Sequence, residues 1–203
     1  MGMGGRCARI LCSATLGALL AASVCGAATA PAPLRFVTQG PPAGDTRVID
    51  VRPERACTAA SLAGARCLPA SELFDREGRP VSFHVLRWLL GTVGLTGHEN
   101  VLVVAGDPAD AAAVGGLLLV AGERDVAVLD RAVEVPAGAA GGQARSMTRE
   151  AVFTAPMRDH LLSTGQAAVG DATIDSGRPY DRFRTFAHRY ADGAPAVRLR
   201  PFP

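Results

Sequence analysis

Lysine is missing from this 203-residue chain, so all 21 basic residues are arginine. No catalytic lysine is available, and every side-chain cation is one that keeps its proton. Against 19 acidic residues the formal charge is only +2. No run of like charges breaks that balance, so no field steers nucleic acid or an anionic membrane to the chain, and nucleic-acid binding is set aside. Other absences exclude chemistries. His84, His98, His160 and His188 show no H-x-H or H-E-x-x-H spacing, which removes the common zinc patterns. No G-x-S-x-G is present for a nucleophile elbow. Gly115-Gly116 lacks the glycine-rich turn of a dinucleotide fingerprint, and no cofactor is expected. What is present, 48% hydrophobic and 20% charged residues, excludes a disordered, collagenous or multi-span membrane protein.

The first thirty residues carry Arg6 and Arg9, an apolar stretch from Ile10 to Val24, and then small residues up to Ala30. This reads as a secretory signal peptide over 1–28, its apolar run short of the roughly 20 residues that span a bilayer. Cleavage after Ala28 would leave no stable membrane anchor and would put the mature protein in the periplasm or outside the cell. It would also bring the side-chain charge to zero. Of five cysteines only Cys57 and Cys67 would remain, in a compartment where disulfides persist. Two readings stand for that pair: a disulfide closing a short loop, or a redox-active or nucleophilic thiol. Neither cysteine lies in a C-x-x-C pair or opens a glycine-rich loop before a helix, where a thiol pKa would fall.

Along the rest of the chain, Arg47–Val51, Asn100–Ala105 and Asp125–Asp130 are short apolar runs expected to form buried strands. A short helix is expected from Ser71 to Asp75. A longer one over Val81–Val93 would put Val81, Val85, Trp88, Leu89 and Leu90 on one face. Asp107 is placed to cap a helix beginning at Pro108 and running to about Ala121. Strands alternating with helices argue for an α/β fold with a parallel sheet. From 136 to 146 the chain turns to glycine and alanine and reads as a linker. Residues 147–203 read as a C-terminal extension. Within it Thr148–Leu162 has helical character and Ala172–Asp175 could be a strand; Arg178–Tyr190 mixes arginine with aromatics in a way that could recognise an anion or a partner, and is read first as an amphipathic helix docking Tyr180, Phe183 and Tyr190 onto the core.

Taken together, Val48-Ile49-Asp50-Val51-Arg52, the stretch Leu62-Ala63-Gly64-Ala65-Arg66-Cys67-Leu68-Pro69-Ala70-Ser71-Glu72-Leu73, and Val101–Gly122 followed by Asp125–Asp130 resemble successive blocks of the rhodanese sulfurtransferase domain. The resemblance covers 33–135. It implies a parallel sheet of about five strands with helices on both faces. Thr173–Tyr180 faintly echoes Val48–Glu54 about one domain length later, so the extension could be a vestigial second repeat.

The departures from that family's pattern carry as much information. An active member holds its persulfide on a cysteine directly after the third apolar strand, in a six-residue loop. Here the loop is Ala105-Gly106-Asp107-Pro108-Ala109-Asp110, and no cysteine follows Cys67. A sulfur carrier needs a thiolate, and a methyl group cannot replace it. Asp107 and Asp110 put carboxylates at a helix start that would otherwise attract an anion. Ser61 stands where the family has histidine, and Arg131-Ala132 where it has two glycines. Asp50 and Arg52 persist and read as a structural pair. The sequence therefore points to an exported rhodanese-like domain without sulfur transfer, serving as a binding or accessory module for an exported protein partner or a small anion. The alternative is a thiol-dependent sulfurtransferase or redox enzyme using Cys57 or Cys67.

Overall fold

The computed structural model describes residues 33–40, 45–163, 173–174, 177–193 and 198–199. The expected signal peptide lies outside them. Six strands form one parallel sheet: β1 (Leu34–Val37), β2 (Thr46–Asp50), β3 (Arg66–Cys67), β4 (Asn100–Val104), β5 (Asp125–Leu129) and β6 (Gln143–Ala144). Their order is β1-β5-β4-β2-β3-β6. The sheet is one strand wider than the five expected, because the Gly/Ala stretch anticipated as a linker contributes β6. Register aligns Asp50 with Cys67 on one side and with Val104 on the other, so the C-terminal ends of these strands share one edge of the sheet.

Alternation along the strands sorts the core into two faces. Ile49, Val101, Val103, Val126 and Val128 point into a large cluster with residues of α2 (Ala70–Leu73), α3 (Phe83–Thr92), α4 (Pro108–Ala121) and α5 (Pro179–Ala191). Val48, Leu102, Val104, Ala127 and Leu129 point the other way. The short α1 (Glu54–Ala59) is tied to that second side, since Cys57 bonds Cys67 (S–S 1.97 Å) and Cys67 pairs with Asp50 and Ala144 in the sheet. Of the two readings of the cysteines, the geometry is that of the bridge. Both cysteines are buried. Gly141 and Gly142 lie so close over α1 that a Cβ on Gly142 would sit 2.7 Å from the Cys57 sulfur, and one on Gly141 1.8 Å from the Thr58 carbonyl oxygen. The Gly/Ala composition there is thus a packing requirement of a strand laid across a disulfide.

α4 follows its sequence signals closely. The Asp107 carboxylate accepts the Ala109 N–H at 2.9 Å, Pro108 opens the helix, and Gly122 closes it at φ 111°. Apolar all round, α4 is sandwiched between the sheet and α5. A Cβ on Gly115 would meet Val128 Cγ2 of β5 at 2.4 Å, and one on Gly116 the Phe183 carbonyl oxygen of α5 at 2.7 Å. α5 buries Phe183, Phe186 and Ala187, while Tyr180 and Tyr190 are only half-buried. In α3 the inward side is Leu86, Leu89 and Leu90 with Val93 just beyond, and Val85, expected inside, is 41% exposed.

The helix expected within Thr148–Leu162 does not form. Apart from a 3-10 turn at Asp159–Leu161, the segment is an extended strap. Three of its amides go to helix ends, Glu150 and Ala151 to Gly91 O and Arg158 to Val120 O, while Thr154 and Ala155 donate to Thr96 O in the loop after α3. The Arg158 guanidinium adds bonds to Leu119 O (2.6 Å) and Glu123 O (2.7 Å). The strap thus adds donors at the C-termini of α3 and α4, to Val120 O and also to Gly91 O and Leu119 O, which already accept the Gly94 and Gly122 amides. Beyond it, β7 (Thr173–Ile174) pairs with β8 (Arg198–Leu199) in a separate two-stranded sheet. Ala172 and Asp175, the outer residues of the expected strand there, lie outside the described residues.

Candidate functional site

In open parallel sheets, ligands enter at the carboxyl ends of the strands. Here that edge carries the loop Ala105–Asp110, α2, and the start of α5. Ala105 is fully buried, its methyl inside the helical-face core and its carbonyl accepting the Val133 N–H at 2.7 Å. The position at which the sequence resemblance expects a nucleophile is therefore occupied by a methyl group packed in the core. Asp107 is committed to capping α4. Asp110 accepts the phenolic hydrogen of Tyr180, which α5 delivers from 70 residues away. Burial, reinforced by the hydrogen bond to Asp110, pushes the Tyr180 hydroxyl well above its usual range, so it remains a donor.

Beside the loop, Asp50 is wholly buried at the end of β2. Arg52 Nε lies 3.0 and 3.1 Å from its two oxygens, Arg52 Nη2 2.6 Å from Oδ2, and the Arg52 backbone N–H 3.0 Å from Oδ1. Ser61 donates to Oδ2 at 2.6 Å. Arg52 Nη2 also reaches the Ala60 carbonyl at 2.7 Å, which ties the end of α1 to the strand. The carboxylate, above all through the side-chain hydrogen bond, raises the Arg52 pKa further. With Nε and Nη2 both engaged, this arginine is a structural clamp, and its stem packs at the level of Gly106. Ser61 completes the same clamp.

Between the loop, α2 and α5 lies an open cleft of about 670 Å³. Val51, Pro53, Pro69, Ala70 and Phe74 give it apolar walls, and Ser71, Asp75, Arg76, Asp110, Arg178 and Tyr180 line it with polar groups. Of the expected site residues only Asp110 reaches this cleft. Asp50 and Arg52 sit beside it, and the Cys57–Cys67 bridge lies on the second side of the sheet. Arg178 and Tyr180 share one segment, read from sequence chiefly as a helix docking on the core, and Arg76 lies about a hundred residues earlier with no motif linking it to them, so the three were not singled out as site residues. Among the described residues no group of three or more His, Cys, Asp or Glu side chains could hold a metal, and no helix is long and apolar enough to cross a membrane.

No family model matches the chain, and no curated protein does. Solved structures do resemble it. YnjE is 16% identical with a TM-score of 0.53, over 78% of this chain and 59% of YnjE, so the chain spans less than two thirds of that protein's length. SseA from Escherichia coli, which presents the rhodanese fold of 3-mercaptopyruvate sulfotransferases, is 12% identical with a TM-score of 0.52, over 78% of this chain and 92% of SseA. At such identities the likeness is one of fold, and the fold is rhodanese-like.

Proposed function

We propose that this rhodanese-like chain is exported, has no sulfurtransferase activity, and acts as a binding or accessory module. The observation that carries the reading is the buried Ala105 at the end of β4, where a sulfur carrier needs a thiolate. The acidic loop supports it, since Asp107 and Asp110 would repel thiosulfate from the start of α4. Export is supported by the N-terminal signal-like segment and by a disulfide, a bond that persists in oxidising compartments. The module reading is preferred to a thiol enzyme because both cysteines are buried in one bridge, under Gly142.

A thiosulfate:cyanide sulfurtransferase assay on the mature protein tests this. The expected rate equals that of a blank. Turnover above the blank that is abolished by a thiol alkylating agent would overturn the proposal. Export is tested separately by fractionating expressing cells, and full-length protein confined to the cytoplasm would contradict that part.

A further inference from the structure

The cleft at the strand ends holds charges of both signs around an apolar floor, and the partners of those charges show which are available. Asp75 is taken up by Arg79, whose Nε lies 2.8 Å away. Arg178 is paired with Asp181 at 3.2 Å. Arg76 lines the cleft with no hydrogen bond or ion pair among the described residues. Asp110, which lines the same cleft, receives Tyr180 on Oδ1 alone, leaving Oδ2 without a described donor. Pro53, Pro69 and Phe74 lie in the same cleft. A volume of about 670 Å³ falls in the range of sites that take small molecules, in which a few placed polar groups orient an apolar body.

Resting on the binding-module reading, we infer that the cleft binds a small zwitterion with an apolar body, a short apolar peptide. Its carboxylate is held by the Arg76 guanidinium, its ammonium by Asp110, and its side chains by Pro53, Pro69 and Phe74. A planar guanidinium meets a carboxylate with two parallel hydrogen bonds; an inorganic oxyanion can take the same fork, so the discrimination rests on Asp110. A ligand bearing only negative charge would satisfy Arg76 but would leave Asp110 facing it with the wrong sign. A peptide with both ends free answers both charges.

The test is calorimetric titration of the mature protein with leucyl-leucine, its C-terminal amide, its N-acetyl derivative, and thiosulfate. Saturable binding of leucyl-leucine is expected, weakened at least tenfold by blocking either end. Arg76→Ala should weaken the free dipeptide by a similar factor and abolish the difference between acid and amide. Asp110→Asn should do the same for free and acetylated amine. Circular dichroism and the melting temperature of each variant establish that it is folded. Thiosulfate binding more tightly than the dipeptide, equal binding of blocked and free forms, or no saturable dipeptide binding would each overturn the inference. None of these results produces turnover in the sulfurtransferase assay, so the module reading and this assignment fail separately.

Discussion

Glu123 shows how far a single residue can depart from what its sequence context announces. It follows the glycine that ends α4, an ordinary place for a surface acid, yet it is fully buried, and its Oε2 has no hydrogen-bond partner among the described residues. Burial first, and then the charge of Glu99, push its pKa from 4.5 up to about 7. The amide of Arg124 and the charge of Arg158 from the strap oppose the shift without cancelling it. Because the folded state holds this proton more tightly than the unfolded chain, its contribution is complete below pH 4.5 and is lost as pH rises through about 7. Stability should therefore fall by about 2 to 3 kcal/mol between pH 5 and pH 8 from this group alone. Glu123→Gln should flatten that slope and raise the melting temperature at pH 8. Urea denaturation of both proteins across the range checks it, and a wild-type slope surviving in the variant would refute the assignment. The Asp50–Arg52–Ser61 clamp was partly legible: the first two read as a structural pair, whereas Ser61 appeared only as a departure from a family pattern. Its hydroxyl becomes meaningful once the fold brings it to 2.6 Å from Asp50.

Among the elements, α4 and its neighbours show where sequence patterns stop. Asp107, Pro108 and Gly122 mark the ends of α4 because capping is local, each signal acting within a few residues of itself. The interior glycines carry no such signal. Gly115 and Gly116 face partners on β5 and α5 that lie 13 and 67 residues further along the chain, beyond the reach of helical periodicity. Gly116→Ala should force α5 outward, because the nearest obstacle is the backbone carbonyl of Phe183 and cannot rotate away. A cost of about 1 to 3 kcal/mol is expected, as for other overpacked positions. Hydrogen exchange should show the α5 amides losing protection while the β4 amides keep theirs, and unchanged α5 protection would contradict this contact. The same limit explains the strap. Its composition permits a helix, but the ends of α3 and α4 recruit three of its amides, and that demand arises only in the assembled fold. β3 and β6, two residues each, are too short for alternation to mark.

For the whole molecule, residues 31–203 form one unit, and the heavily packed side of the sheet depends on its last third. Phe153 and Ala155 from the strap and Phe183 and Phe186 from α5 belong to the same buried cluster as Ile49 and Val103. A chain ending at Ser146 would expose the outer side of α4 and remove donors from the ends of two helices, so it should bind a hydrophobic dye and lose its cooperative melt. A truncated protein melting at the full-length temperature would show 147–203 to be an appendage. The docking of α5 was legible in its amphipathic pattern, whereas the strap's share, Phe153 and Ala155, was not, because the strand-helix alternation ends at Asp130 and the strap has no periodicity of its own. β6 has one more consequence, for colloidal behaviour. Parallel sheets invite further chains to add at an open edge, and on this flank both β3 and the outermost β6 are only two residues long. So brief a row of exposed peptide groups is a poor template for another copy, and on this flank the protein should resist self-association even when concentrated.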